Sequence, residues 1–404
     1  DAPAAPLDIG SRDVRFHLAT KTIELVTGPA QFGLTFDGIG SRILCSNRNP
    51  ATQVIFEQAD LVGNPLAGLA PSVVDVVPAG DSSHVFPLVN AWVTSHLHAG
   101  QFTAACGVFA HGLDDDRTDI YTCEPTGSLV HRQRSKRMGT RLVPDADLQV
   151  PEGHEWLASH DAWFRPVNVT VAPDGAMVIV DMHRAVIEHP DWVPEELKQR
   201  PDERWGDQAG RIVSVSSATQ LSDVWRELRD KPLGTRDDAE LVQLIGSDNL
   251  WLRQTSERLL LQRAATEASA SASGSRTLHA NIDALQTLLA DTSLTPDARC
   301  TALRLAVLLA ANATRSPIDI ARLLAADLSQ TGQCELAIVA LRLSRQFPQV
   351  ISVHPDELLK LVSQSSDGGV RFEAWLCLGA QMGSDAWQAT QADLDEVARA
   401  WVQD

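Results

Sequence analysis

The sequence predicts a two-part fold, in which β-sheets forming part of a propeller are followed by a HEAT-like α-solenoid. Up to about residue 216, short alternating strands are broken by Gly, Pro, Asn and Asp, whereas beyond about residue 236 the apolar period becomes helical. Between them, "LRDKPLGTRDD" supplies the Pro and Gly that punctuate a domain boundary. We therefore predict a propeller part at 1–227, a linker at 228–238 and a helical repeat domain at 239–404.

The β half contains a recurring unit. "FGLTFDGIGSRILCSNRNP" and "VNVTVAPDGAMVIVDMHR" each predict a strand, an Asp-Gly turn, a second strand and a polar loop, and "RTDIYTCEPTGSLVHRQ" is a weaker third copy. Aligning the second strands places Ser46, Glu124 and Asp181 at equivalent positions. Small sheets that repeat in this way are typical of propeller blades.

Two further segments complete this half. "GRIVSVSS" predicts the last strand, and "VRFHLATKTIELVTG" predicts a strand pair from another blade. Three to four blades are too few to close a propeller, so the sequence predicts that further blades precede this chain.

The second half predicts paired helices. The second helix of successive pairs is expected to begin near residues 297, 333 and 369, a spacing of about 36 to 37 residues that is close to the HEAT range. Prolines fall at helix starts or between helices, where a missing N–H costs little. The Ala- and Ser-rich "ATEASASASGSRT" is predicted to be a flexible insert.

Composition excludes several classes of function. The 404 residues are 44% hydrophobic and 21% charged, as expected of a folded chain, and the net charge of -18 would repel nucleic acid or an anionic membrane surface. No apolar run is long enough to span a membrane. The chain lacks GxSxG, GxGxxG and GxxxxGK motifs, and its six cysteines form no CxxC or CxxCH. Buried free thiols are expected rather than a haem or zinc site.

Several segments together resemble a known family. "GPAQFGLTFDGIGSRILCSNRNP", "SHLHAGQFTAACGV", "CEPTGSLVHR", "EWLASHDAWFRPVNVTVAPDGAMVIVDMHRAVIEHPDWVPEELKQRPDERWGDQAGRI" and "NLWLRQTSERLLLQR" look like the membrane-bound dehydrogenase family of planctomycete-type bacteria. In that family a glucose/sorbosone-dehydrogenase-type propeller precedes HEAT-like repeats, often with a c-type cytochrome domain after them. The resemblance runs from about Leu7 to about Arg263. This sequence departs from it by lacking CxxCH and by having His183 where similar sequences usually carry Tyr.

The resemblance implies an extracytoplasmic protein, periplasmic or membrane-associated in its full length. It also implies a quinone-dependent oxidation of a sugar or polyol in the propeller channel, with pyrroloquinoline quinone and calcium as cofactors. The resemblance further implies that the solenoid contacts a c-type cytochrome domain or another protein partner.

The candidate catalytic residues lie in polar loops, because loops leaving propeller strands gather on one face. In "DMHRAVIEHP", Asp181, Arg184 and His189 are candidates: His suits a general base near neutral pH, and Arg would stabilise a reduced quinone oxygen. The alternative is that Asp181 caps the loop backbone, Arg184 pairs with Glu188, and His189 before Pro190 ends a short helix.

Two histidines at i, i+2 form a second candidate. His96 and His98 in "TSHLHAGQF" would point to one face of a strand and could share a cation if a further ligand were supplied. We expect His98 to be the base, since Gly100 permits close approach of a ligand, and His96 to contact the cofactor. A hydrogen-bonded structural pair is the alternative.

Three more residues complete the predicted site. Arg48 in "CSNRNP" is a candidate for catalysis or for a solvent-facing turn. Glu124 is a candidate calcium ligand. Arg165 follows Trp163 and Phe164 in "HDAWFRPVN", which would form a sugar platform or a quinone sandwich, or else pack between blades while Arg165 pairs with an acid.

A second function also fits the sequence: a non-catalytic scaffold whose propeller binds a glycan or a protein and whose solenoid offers a concave partner surface. The enzyme requires His98 or His189 to converge with the arginines on one cavity, whereas scattered positions favour the scaffold.

Overall fold

The structure is a computed structural model with a β-rich first half and a helical second half. It describes residues 7–17, 20–61, 64, 68–90, 100–114, 117–145, 153–187, 195, 204–216, 223–267, 272–311, 318, 320, 324 and 332–382.

The described strands form four antiparallel sheets, none of which closes into a ring. Sheet I is a hairpin, and sheets II, III and IV contain four, five and three strands. Sheet I holds β1 (Asp13–His17) and β2 (Thr22–Val26). Sheet II runs β3 (Gly33–Phe36), β4 (Arg42–Ser46), β5 (Asn49–Val54) and β6 (Val73–Asp75). Sheet III runs β7 (Cys106–Asp114), β8 (Arg117–Glu124), β9 (Leu129–Met138) and β10 (Arg141–Pro144), with β11 (Leu157–Ala158) also on β9. Sheet IV runs β12 (Pro166–Val171), β13 (Met177–Asp181) and β14 (Arg211–Val215).

The strand pairs predicted from the recurring unit are confirmed. Asp37 accepts hydrogen bonds from the backbone N–H groups of Ile39 and Ser41, and Asp174 accepts one from Ala176, so both predicted turns are closed by their aspartates. Ser46, Glu124 and Asp181 are each the last residue of the second strand of their sheet. The equivalence predicted from the sequence is therefore real in the fold.

The first strands of sheets II, III and IV lie side by side, which stacks the sheets. The Gly107 N–H donates to Phe32 O at 3.1 Å, and a Cβ at Gly107 would lie 2.4 Å from Val167 O. Apolar side chains fill the space between the sheets: one cluster includes Ile43 and Ile120, and another includes Tyr121 and Ile179.

The described helical half contains eight α-helices. They are α1 (Asp223–Asp230), α2 (Asp238–Ile245), α3 (Leu250–Glu267), α4 (Ala272–Ala290), α5 (Pro296–Ala311), α6 (Gln333–Gln346), α7 (Pro355–Gln364) and α8 (Gly368–Met382). Antiparallel neighbours pack as α2 with α3, α4 with α5, and α7 with α8. Helices α5, α6 and α8 begin within one residue of the positions expected from the sequence spacing.

The flexible insert predicted at residues 265–277 is wrong for most of its length. Helix α3 continues to Glu267 and α4 already begins at Ala272. Alanine has the highest helix propensity, so a stretch that looks like a low-complexity linker can extend the helices on either side.

The two halves share a hydrophobic core and a buried ion cluster. Ile39 and Phe56 of the β half are buried in the same cluster as the helix core. Glu373 on α8 accepts from Arg342 and Arg345 on α6, each at 2.6 Å, and Arg342 also donates to Ile39 O while Arg345 pairs with Asp60 at 3.4 Å. The sequence boundary between the halves is thus bridged by continuous packing.

The remaining expectations concern cysteines and membranes. All six cysteines are free thiols, and four of them are buried. Within the described ranges, no helix has both the length and the apolar character needed to cross a bilayer.

Candidate functional site

Polar residues of sheets II, III and IV meet at one end of the stack, which we call the polar edge. The first strands lie side by side, and each second strand runs antiparallel to its first strand, so that Gly33 faces Cys45, Cys106 faces Cys123 and Pro166 faces Asp181. The ends of β4, β8 and β13 and the starts of β3, β7 and β12 therefore share this edge. Arg48, Glu124, Arg165, Asp181 and Arg184 all belong to it.

Glu124 is a buried backbone anchor at this edge. Its carboxylate accepts hydrogen bonds from the N–H groups of Thr103 and Ala104, both at 3.0 Å, and of Thr126 at 3.1 Å. Burial raises the pKa of Glu124 to about 6, although these hydrogen bonds act to lower it. The carboxylate thus holds the segment before β7 against the end of β8.

Arg165 joins two neighbouring sheets. Its guanidinium donates to Pro125 O and Thr126 O of sheet III and to Arg184 O and Ala185 O beyond sheet IV, at 2.7 to 3.4 Å. The residue is 5% exposed, and burial lowers the pKa of this guanidinium. All four acceptors are backbone carbonyls, so the side chain acts as a cross-link between loops.

Asp181 caps the loop that follows β13. One carboxylate oxygen accepts from the N–H groups of Arg165 and His183, and the other accepts from Arg211 Nε at 2.7 Å. Arg184 contributes its backbone: its N–H donates to Trp163 O, and its carbonyl accepts from Arg165. The cap for Asp181 agrees with the alternative drawn from the sequence, while Glu188 and His189 lie outside the described residues.

Arg48 lies at the sheet II end of the same edge. Its Nη2 donates to Asp81 at 2.6 Å and to Gln101 at 2.9 Å, and its carbonyl accepts from Gly80. Asp81 is largely exposed, so this is a surface ion pair. His96 and His98 lie outside the described residues, and no group of three or more His, Cys, Asp or Glu in the described ranges is arranged to hold a metal ion.

An aromatic cluster occupies the sheet IV end of the polar edge, and we call it the His183 cluster. The ring of His183 packs on Trp163 at a centroid distance of 5.6 Å, and Trp163 packs on Trp205 at 6.3 Å. Beside them, Arg211 bridges Asp181 and Asp161, with Nη2 at 2.9 Å from Asp161 Oδ2. Trp205 is 51% exposed, so the cluster opens to solvent.

His183 is held between carboxylates on an unusual backbone. Its Nδ1 is buried, makes no hydrogen bond to any described residue, and lies 3.8 Å from both Asp161 Oδ2 and Asp181 Oδ2. Its φ is +49°, and a Cβ at Gly206 would lie 2.1 Å from His183 O. A non-glycine residue in this region is uncommon and often marks a functional position. The cap from Asp181 to the His183 N–H stabilises that conformation.

The charges around His183 are set by hydrogen bonds. Burial acts to raise the pKa of Asp161, but hydrogen bonds from the Trp163 N–H and Arg211 bring it below its ordinary value. The hydrogen bond to Asp181 raises the pKa of Arg211. The imidazole therefore faces Asp161, whose pKa is lowered, and Asp181, and the guanidinium of Arg211 bridges these two carboxylates.

A family model for a domain of unknown function, DUF7133, matches residues 2–219, which is more than half of the 404 residues. The chain belongs to the DUF7133 family. No curated protein and no solved structure matches it.

The DUF7133 match encloses the whole polar edge and the whole His183 cluster, while the helices after residue 219 lie outside it. The sequence pattern made Asp181, Arg184 and Arg165 candidate site residues, whereas His183 was named only as a departure from the family resemblance. The signal was present: an aspartate at a strand end followed two residues later by His, with Trp-Phe-Arg before the partner strand. The sequence does not indicate that the ring of Trp163, before β12, contacts the ring of His183, after β13.

Proposed function

We propose that this DUF7133 protein binds a sugar or polyol at the His183 cluster and oxidises it in a quinone-dependent reaction outside the cytoplasm. We further propose that the stacked sheets are part of a β-propeller and that the paired helices form a HEAT-like solenoid. The stacking of three first strands side by side supports the propeller, and helix starts near 296, 333 and 368 support the repeat.

The observation that carries the proposal is the composition of the His183 cluster. Sugars present apolar C–H faces beside hydroxyl groups, so they suit a site with aromatic rings next to ionised groups. Trp163 and Trp205 supply the rings, while Asp161 and Arg211 supply a half-exposed acceptor and donor.

His183 is the residue that we propose as general base. Oxidation of an alcohol requires removal of the hydroxyl proton as hydride leaves, and an imidazole suits that step near neutral pH. A proton accepted by His183 would place a positive charge 3.8 Å from two carboxylates, and this attraction stabilises the product of the transfer. Asp161 and Asp181 would then act as positioning residues.

The cofactor part of the proposal depends on the family resemblance. A quinone with calcium needs guanidinium groups and carboxylates that are not already committed. The guanidinium of Arg165 is used by four carbonyls, and the carboxylate of Glu124 is used by three backbone N–H groups. These two residues do not fit a cofactor-binding role in this arrangement, so we assign no step to the quinone.

Binding is tested by calorimetric titration of the protein with a panel of hexoses and polyols. We expect Trp163→Ala and Trp205→Ala each to weaken binding about fivefold, the equivalent of about 1 kcal/mol of aromatic stacking. Trp225→Phe is the matched control, because Trp225 bonds Asp174 at the turn on the opposite end of sheet IV. Equal sugar affinity in all three variants would show that the His183 cluster does not bind the sugar.

Turnover is tested by dye reduction after reconstitution with pyrroloquinoline quinone and calcium. His183→Asn keeps a residue that tolerates positive φ, so it isolates the imidazole. We expect at least a hundredfold lower rate with sugar binding retained. Sugar or protein binding without turnover in the unchanged protein would instead support the scaffold, with the solenoid as the surface for a cytochrome or another protein partner.

A further inference from the structure

A second cavity lies between the β half and the helical half, away from the polar edge. Its volume is about 440 Å³, within the range of small-molecule sites. The β half contributes the ends of β5 and β6 and the turn from β9 to β10, and the helical half contributes α7 and α8. Its lining residues are Ile55, Ala70, Pro71, Val74, Thr140, Arg141, Val362, Arg371, Phe372 and Trp375.

The walls of this cavity are mainly apolar and include two aromatic rings. Phe372 and Trp375 lie on α8 with ring centroids 6.2 Å apart and planes at 35°, and Phe372 also contacts Phe56. Ile55 and Val74 face them from sheet II. Such a space takes a flat aromatic or branched apolar body better than it takes a sugar.

The charged side chains that line this cavity are all positive. Its lining includes two arginines and neither Asp nor Glu. Arg371 is held in place by a hydrogen bond from its Nη1 to Ser365 O at 2.8 Å. Arg141 is exposed on β10 and has no carboxylate partner among the described residues. In a chain with a net charge of -18, a cavity of this sign selects against cations and for anions.

We propose that the cavity binds a small aromatic carboxylate, with the ring against Phe372 and Trp375 and the carboxylate paired with Arg141. The site is distinct from the His183 cluster, and none of its lining residues belongs to the polar edge. Because its two walls come from different halves, a bound ligand contacts both and stabilises their junction by mass action.

The probe for this proposal is naphthalene-2-carboxylate, with neutral 2-naphthamide as its uncharged match. We expect the carboxylate to bind the protein with a Kd tighter than about 1 mM and to raise its melting temperature. Arg141→Gln should weaken carboxylate binding about tenfold and leave amide binding unchanged, since it removes one charge-assisted hydrogen bond.

Occlusion of the cavity provides the second test. Ala70→Trp adds an indole from an exposed lining position and should abolish binding of both probes, whereas Leu69→Trp places the same side chain at a neighbouring exposed residue that does not line the cavity. Equal binding by Ala70→Trp and Leu69→Trp, or absence of binding by the unchanged protein up to about 1 mM, would overturn the site. Equal loss of carboxylate and amide binding in Arg141→Gln would overturn the choice of an anionic ligand.

Discussion

Two arginines at the polar edge have different roles, one structural and one in a surface ion pair. Arg165 donates to four carbonyls from a buried position, whereas Arg48 pairs with a largely exposed Asp81. We expect Arg165→Ala to lower the free energy of unfolding by about 3 kcal/mol, because buried carbonyls lose their donors. Arg48→Ala should change it by less than about 1 kcal/mol. Urea denaturation measures both, and similar values for the two variants would contradict the cross-link.

Glu124 gives the molecule a defined response to pH. Its pKa in the folded protein is about 6, against an ordinary value of 4.5, so the folded state binds the proton more tightly than the unfolded state. The stabilisation is complete below about pH 4.5 and is lost as the pH rises through about 6, a change of about 2 kcal/mol. Across this interval, the unfolding free energy of the unchanged protein should fall about 2 kcal/mol more than that of Glu124→Gln. Parallel pH profiles would refute the assignment.

The sequence predicted that Glu124 and Asp181 lie at strand ends, but it did not predict their hydrogen-bond partners. A polar residue after an apolar strand identified Glu124 and Asp181, because the alternation of a strand indicates where the strand ends. Their partners are backbone groups of Thr103, Ala104 and Arg165, and backbone groups carry no sequence signature. The catalytic roles assigned to Arg48, Asp181 and Arg184 stay predictions, as do those of the histidines at 98 and 189 and the cofactor contact assigned to His96.

At the scale of elements, the stacking of sheets depends on close backbone approach at Gly107. Its φ is +56°, and a Cβ would lie 2.4 Å from Val167 O. Gly175 has a similar φ of +81°, but nothing lies within 4 Å of its Cβ position. We expect Gly175→Ala to cost about 1 kcal/mol from the backbone alone, and Gly107→Ala to cost at least about 3 kcal/mol. Thermal and chemical unfolding measure both costs: Gly175→Ala reports backbone strain alone, and Gly107→Ala reports backbone strain together with a steric clash.

The positions of strands, turns and helices could be predicted from the sequence more fully than the way in which they pack together. The Asp-Gly turns and the helix starts follow from local chemistry, and both were found where the sequence indicated. The Ala- and Ser-rich stretch was misread because composition alone does not distinguish a linker from a strong helix former. The stacking of first strands at Gly107 depends on residues about 60 positions apart, which no local pattern encodes.

At the scale of the whole molecule, the halves are joined by the Glu373 cluster and the shared apolar core. Burial acts to raise the pKa of Glu373, but Arg342 and Arg345 hold it below the ordinary value. Glu373→Gln leaves two guanidiniums without their common counter-charge, and we expect it to lower the unfolding free energy by about 3 to 5 kcal/mol. It should also split one calorimetric transition into two.

The matched control is Glu257→Gln. Glu257 on α3 accepts hydrogen bonds from Nε and Nη2 of Arg304 on α5, so the interaction lies wholly within the helical half. We expect this variant to lose stability while the protein still unfolds in a single transition. Two transitions in both variants, or in neither, would show that the Glu373 cluster does not couple the halves.

Ile39 and Phe56 lie within the helix core, and this has a practical consequence for the peptide bonds between α1 and α2. Because these side chains of the β half already pack into the helix core, we expect the two halves to associate without a peptide bond at that point. Two separately encoded polypeptides, 1–230 and 231–404, should then find each other when co-expressed and purify as one split protein with a tag on either piece.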